Sequence, residues 1–244
     1  MYYFVSDIHL GAGTPDEARA TEQRFLEFLD GIEHDVEALY LVGDIFDFWW
    51  EYSRVVPKGF VRTLGRLASM ADRGVRVVML TGNHDMWVDD YLTRECGIEL
   101  HTAPITENIA SRQLFIAHGD NMNVDRPLLK FMNWLFRSQG MRRFFSWAAH
   151  PNLWVRFGQW WSGRSRKAHR DQESKENKES LAPLIDYAMQ YSVQHPEIDY
   201  FIFGHMHIAA DFTTTRRTLF MGDWSERGSY LVMDNNGDIT LKQL

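Results

Sequence analysis

One cysteine, Cys96, occurs in 244 residues, which excludes a disulfide framework and suits a reducing compartment. The first residues lack a basic segment followed by a short apolar core, so a secretory signal is not expected. No window of about 20 residues is free of charge, which argues against a membrane-spanning helix. These absences point to a cytoplasmic protein whose contact with a membrane would be peripheral. A fourth absence is local: residues 126–170 hold ten Lys and Arg but no Asp or Glu. Removing those ten charges from the net charge of −7 leaves −17 on the rest of the chain. What remains is ordinary for a globular protein, 45% hydrophobic and 24% charged, and long enough for one large α/β domain.

Residues 38–42 (ALYLV) form an apolar run too short for a typical helix and bounded by Gly43, which predicts a buried strand. Asp44 follows directly. A carboxylate at the end of a buried strand calls for a cation, and Gly43 lets the backbone turn there, although a single Gly-Asp reads equally well as a solvated turn. The pattern recurs. Residues 2–5 run into Asp7 and His9, which in an extended backbone would share one side. Residues 75–80 lead to Asn83, His84 and Asp85, residues 113–117 to His118 and Asp120, and residues 200–203 to His205 and His207.

Helices separate these strands. Thr14-Pro15-Asp16-Glu17 reads as a capping box, and Phe25, Phe28, Leu29 and Ile32 give the helix that follows an apolar face. A second helix carries Phe60, Leu64, Leu67, Ala68 and Ala71 and stops at Gly74, and a third carries Leu181, Leu184, Ile185, Ala188 and Tyr191. Strand-helix alternation of this kind predicts an open α/β sheet with its polar residues gathered at the strand ends. Residues 229–233 and 239–241 read as a hairpin of edge strands.

Asp7, His9, Asp44, Asn83, His118, His205 and His207 supply seven oxygen and nitrogen donors and no thiolate, too many for one tetrahedral structural zinc. Two divalent ions are the natural solution, with Asp44 as the bridge. Manganese is the expected metal, and iron or zinc would accept the same donors. Such a pair activates water and clamps the oxygens of a phosphoryl group.

In their order, D-x-H, G-D-x-x-D, G-N-H-D, H-G-D and G-H-x-H, spread from Asp7 to His207, resemble the motifs of the calcineurin-like metallophosphoesterases. The resemblance implies an α/β fold, a four-layer α/β/β/α sandwich with a dinuclear centre at one edge, hence a second sheet that the alternation alone does not predict. It makes residues 1–244 one domain with a helical insertion, or lid, at roughly 124–180. It also implies that His84 is no ligand but the phosphate-side histidine, stabilising the transition state or protonating the leaving oxygen, with Asp85 holding the ring in one tautomer. Read without the resemblance, Asp85 is a helix N-cap.

Interleaved with the basic residues of the insertion are ten aromatics, among them Trp134, Phe144, Phe145, Trp154 and Trp160. A basic, aromatic, helical segment has the composition of an interface with lipid, and these five are the candidates for covering acyl chains or meeting an anionic membrane. Arg164, Arg166 and Lys167, with Asp120 and Asn123, are the substrate-binding candidates. Packing onto the sandwich and single-stranded nucleic-acid binding are the other readings of such a composition. Together with Gly222-Asp223-Trp224 and Gly228-Ser229, the insertion looks like that of the UDP-2,3-diacylglucosamine diphosphatases of lipid A biosynthesis. That likeness implies hydrolysis of the substrate's pyrophosphate to UMP and 2,3-diacylglucosamine 1-phosphate on the cytoplasmic face of the inner membrane, without nucleic acid or an obligate protein partner. One departure stands out: well-known members of that group carry Arg where this chain has His84. The alternative is a dinuclear-metal phosphodiesterase or nuclease acting on nucleotides. A scaffold without catalysis is disfavoured, because all seven ligands and His84 are present.

Overall fold

The computed structural model describes residues 1–122, 178–224 and 228–244, with Ser138, Gly140, Met141, Phe144, Trp147, residues 150–153, Arg156, Gly158, Trp160, Ser162 and Gly163 between them. The candidates Asn123, Trp134, Phe145, Trp154, Arg164, Arg166 and Lys167 lie outside the described residues.

Strand β2 (Ala38–Val42) is buried at every position, and alternation sends its side chains to two different cores. Leu39 and Leu41 join one cluster, while Ala38, Tyr40 and Val42 join another. Its parallel neighbours β1 (Tyr2–Val5) and β3 (Arg76–Leu80) divide in the same way, Val5, Val77 and Met79 to the first cluster and Phe4, Val78 and Leu80 to the second. The first cluster includes buried residues of α1 (Pro15–Ile32), α2 (Val61–Asp72) and α3 (Tyr91–Cys96), which cover the outer face of this sheet. The remaining strands are β4 (Glu99–His101), β5 (Ile105–Ile109), β6 (Arg112–Ala117), β7 (Tyr200–Phe203), β8 (Ala210–Thr213), β9 (Arg217–Phe220), β10 (Ser229–Met233) and β11 (Ile239–Gln243).

The strands form two sheets, one of six in the order β11-β10-β1-β2-β3-β4 and one of five in the order β5-β6-β7-β9-β8. The second cluster lies between them, joining Phe4, Tyr40 and Val42 to Leu114, Ile116, Ile202 and Leu219. A third cluster packs Phe115, Phe201, Phe203 and Phe220 against Leu184 and Ala188 of α4 (Ala182–Gln194). The layers are therefore α/β/β/α, as the motif resemblance implies, and the single open sheet read from alternation is corrected. A strand buried on both faces looks the same in sequence whether a helix or a second sheet covers it.

The helix starts and stops follow local chemistry. Thr14 and Glu17 form the full capping box at the start of α1, and Gly74, at φ +90°, turns the chain after α2. The C-terminal hairpin differs from its reading as a pair of edge strands: β11 is the edge, but β10 is interior, paired with both β11 and β1. Among the described residues no helix is long and apolar enough to cross a membrane.

Candidate metal centre

The parallel strands β1, β2 and β3 of one sheet and β6 and β7 of the other all end at the same edge of the sandwich, and the polar residues that follow them converge there. They do not arrive by extended backbone. Asp7 (φ 54°), His9 (51°), Asp44 (53°), His205 (67°) and His207 (57°) all lie in the left-handed region, which costs a non-glycine residue of order 1 kcal/mol or more and persists only where the surroundings enforce it. The expectation that Asp7 and His9 share a side through strand alternation is therefore corrected, since the strand ends at Val5. Main-chain hydrogen bonds enforce the conformation instead: the amides of Asp7, His9 and Leu10 donate to the carbonyls of Gly43, Asp44 and Ile45 at 3.1, 3.0 and 2.8 Å. Gly43 is required for two reasons, a φ of +83° and the His118 ring, whose Nδ1 would lie 2.5 Å from any Cβ placed there.

Among the described residues three sets of donors lie close enough to share an ion; one joins His9 and Asp44 to His84, and the other two are made of the expected ligands. In one of these two, the Nε2 atoms of His9 and His207 lie 3.2 Å apart, and Oδ1 of Asp7 is 3.9 and 3.4 Å from them. In the other, His118 donates through Nδ1 to the Val42 carbonyl at 3.0 Å, which turns its Nε2 toward Asn83 Oδ1 and Asp44 Oδ2, both 3.4 Å away. His205 completes this second group. One atom faces both groups: Asp44 Oδ2, at 3.4 Å from His118 Nε2, is also 4.0 Å from His9 Nε2. The donor set fits cations on physical grounds. Asp7 Oδ1 is buried without a hydrogen-bond partner and faces two imidazole nitrogens at 3.9 and 3.4 Å.

The electrostatics of the ion-free protein agree. Burial raises the Asp7 carboxyl, yet the closely placed His207 ring, with the charge of His118, brings it down to about 2. Burial also opposes charge on Asp44, but His84, His118 and His9 hold it well below the usual carboxylate range. Burial works against a proton on His118, and the Asp44 carboxylate outweighs it, lifting the imidazole to about 10. Burial and the neighbouring His118 charge hold His205 down to about 4. Positive charge is thus demanded at the point where a divalent ion would replace the His118 proton.

His84 stands beside the donors, its Nε2 3.8 Å from Asp44 Oδ2. Its Nδ1 lies 2.9 Å from the Asp47 carbonyl, which can only accept, so Nδ1 carries the hydrogen and Nε2 faces the centre. Asp85 does not orient it. Both Asp85 oxygens accept main-chain amides, Oδ1 from Gly82 at 2.7 Å and Asp44 at 3.3 Å, Oδ2 from Ile45 at 2.8 Å and Phe46 at 3.4 Å. Burial and the Asp44 charge push its carboxyl up to about 6. Nor is Asp85 a helix cap, since α3 begins at Tyr91 behind Asp90. Its work is to brace the loop that presents Asp44.

Three contributors escaped the sequence reading. Asp47 lies in the G-D-x-x-D motif, which was the available signal. Asp223 has an oxygen 3.9 Å from His207 Nδ1, and Ser162 bonds to Asp47. Asp120 follows His118 by two residues, and its negative charge acts on both His118 and His205. Of the acyl-chain candidates that are described, Phe144 and Trp160 are 53% and 56% exposed.

A sandwich whose strand ends bring carboxylates, imidazoles and an amide oxygen around a charge-demanding point, with a histidine held in one tautomer beside them, defines a metal-dependent hydrolase. The profile of the calcineurin-like phosphoesterases matches residues 2–209, and the chain belongs to that family. It is 36% identical to the UDP-2,3-diacylglucosamine hydrolase of Porphyromonas gingivalis over 95% of this chain and 93% of that protein. The protein of the same name from Pseudomonas aeruginosa PAO1 is 29% identical over 96% and 95%. Among solved structures, Yfce, a phosphoesterase from E. coli, aligns over 100% of this chain and 97% of its own at 15% identity, with a TM-score of 0.44.

Proposed function

We propose that this chain hydrolyses the pyrophosphate of UDP-2,3-diacylglucosamine, adding water across the anhydride to give UMP and 2,3-diacylglucosamine 1-phosphate. The observation that carries the substrate is the likeness to hydrolases of that name along nearly the whole chain, set on a centre suited to phosphoryl oxygens. Asp7, His9 and His207 would hold one divalent ion, Asn83, His118 and His205 a second, with Asp44 shared between them. Manganese is the metal we favour. When bound, the pair supplies Lewis-acid polarisation of the phosphoryl group and an activated water. The chain's own part is to place His84 Nε2 where the ring, when protonated at both nitrogens, donates to the departing phosphate oxygen, while Asp85 keeps the Asp44 loop from shifting.

The insertion is the part we assign to the lipid and to the membrane surface. Phe144, Trp147, Leu153 and Trp160 are all more than half exposed, which supports contact with acyl chains or with the bilayer interface. His84, in place of the Arg found in well-known members of the subgroup, favours a second reading as a phosphodiesterase acting on nucleotides. One assay separates the two: turnover of UDP-2,3-diacylglucosamine against single-stranded DNA and a simple aryl phosphodiester, with Mn2+ added. Preferred turnover of the acylated UDP-sugar, with slower cleavage of the aryl diester and none of DNA, is the expected result, and faster cleavage of DNA or of the aryl diester would replace the lipid reading with the nucleotide one.

A further inference from the structure

His84 is held at Nδ1 by two oxygens from distant parts of the chain. The first is the Asp47 carbonyl. The second is Ser162 Oγ, 3.0 Å from the same nitrogen and 78 residues away in sequence. The Ser162 hydroxyl donates its own hydrogen to Oδ1 of Asp47, so it accepts from His84 while donating to the carboxylate. Without it the pair would not meet, because Asp47 Oδ1 lies 3.8 Å from His84 Nδ1, too far for a direct hydrogen bond. Ser162 is only 2% exposed, although it belongs to the insertion.

A second contact seats the same segment. Gly158 and Ser162 are both helical and four residues apart, the spacing of one helical face. Gly158 sits so close to Phe48 that a Cβ there would overlap the ring, and Phe48 in turn packs on Trp87, with ring centroids 5.6 Å apart. Phe48 follows Asp47, and Trp87 lies three residues beyond His84. Gly158 and Ser162 therefore rest on the two loops that hold the histidine.

The geometry points to Ser162 as a positioning residue for the phosphate-side histidine: the insertion supplies the hydroxyl that joins the Asp47 carboxylate to His84 and keeps Nε2 aimed at the phosphoryl group. This rests on the role proposed above for His84. A single carbonyl acceptor leaves an imidazole free to pivot, and a small misplacement of a reacting group lowers turnover with little effect on binding. The insertion then belongs to the chemistry as well as to substrate recognition, and the hydroxyl at 162 is the point where the two meet.

The test is a double-mutant cycle on the metal-loaded full chain, with UDP-2,3-diacylglucosamine and an aryl phosphodiester as substrates. Ser162→Ala should lower kcat about tenfold, the scale of one lost hydrogen bond, with KM changed less than about twofold. Ser162→Thr, which keeps the hydroxyl, should recover most of the loss. In a His84→Ala background, removing the serine hydroxyl should change kcat less than about twofold, since its effect passes through the ring. Ser162→Cys, close in size and with only a weak hydrogen-bonding thiol, serves as the hydroxyl deletion if the alanine variant does not fold. Full turnover in Ser162→Ala, or an equal fall with and without His84, would overturn the assignment of Ser162 while leaving His84 in place. Full turnover in His84→Ala would overturn both.

Discussion

The donor loops and the insertion reach the same centre by opposite means. The loops after β1 and β2 are tied amide to carbonyl, carry non-glycine residues at positive φ and bury nearly every side chain they present. The described residues between 138 and 163 include four exposed large apolar side chains, set Gly158 against Phe48 and reach Asp47 and His84 through one hydroxyl, Ser162. The difference teaches where precision is needed. Groups that meet phosphoryl oxygens must be placed within fractions of an ångström, so the backbone is over-determined there. An exposed apolar surface acts through its area more than through its geometry.

The sharpest way to break this contrast is at the atom that faces both donor groups. Asp44→Ala should abolish turnover and lower metal content at both sites together, measured by metal analysis of the purified variant alongside its activity. Normal metal content with full turnover would remove Asp44 from the bridging position. Next in size, His84→Ala should lower kcat by roughly 10²–10⁴-fold, the scale of a lost general acid, with metal stoichiometry unchanged. A matching loss of metal would make His84 a ligand and place it with the rigid group.

A third experiment tests the charge demanded by the donor loops. His118 is lifted to about 10 in the ion-free protein, so its proton competes with metal, and affinity should rise about tenfold per pH unit until that value is passed. The sign for folding is the reverse. The protonated His118 stabilises the ion-free fold fully below its ordinary value near 6.5, and that contribution fades as pH climbs through about 10. Metal titrations across pH 6–9, read by calorimetry in buffers of different ionisation enthalpy, check the first, and melting of the metal-free protein checks the second. Metal affinity independent of pH would place no proton on His118.

The smallest effect per change belongs to the insertion. Each methylene removed from the substrate's acyl chains should weaken binding by about 0.8 kcal/mol, roughly fourfold, if the exposed aromatics cover them. Replacing Trp160 with Ser should flatten that slope without altering cleavage of an aryl diester. A slope of zero in the unaltered protein would leave the phosphoesterase centre standing and detach the insertion from lipid.

The sequence by itself determined seven of the eleven described strands, three of the helices and the polar residues that gather at the strand ends, but not β4, β5, β8, β9 or α3. A strand buried on both faces is a short apolar run, and a polar residue directly beyond it is conspicuous, so Asp7, Asp44, Asn83, His118 and His205 were legible from neighbouring residues alone. The capping box at Thr14 and the turn at Gly74 are likewise local chemistry. Three things only the tertiary structure decided. Apolar alternation reports burial but not what provides it, so the division of the eleven described strands into two sheets was invisible to it. Left-handed backbone at Asp7, His9, Asp44, His205 and His207 is imposed by the loops they pack against, contrary to residue preference. The partners of His84 and Asp85 depend on which side chain reaches which atom: adjacency suggested that Asp85 holds His84, but the carboxylate turns to four main-chain amides, and the hydroxyl that reaches the ring comes from Ser162, brought there by the packing of Gly158 on Phe48.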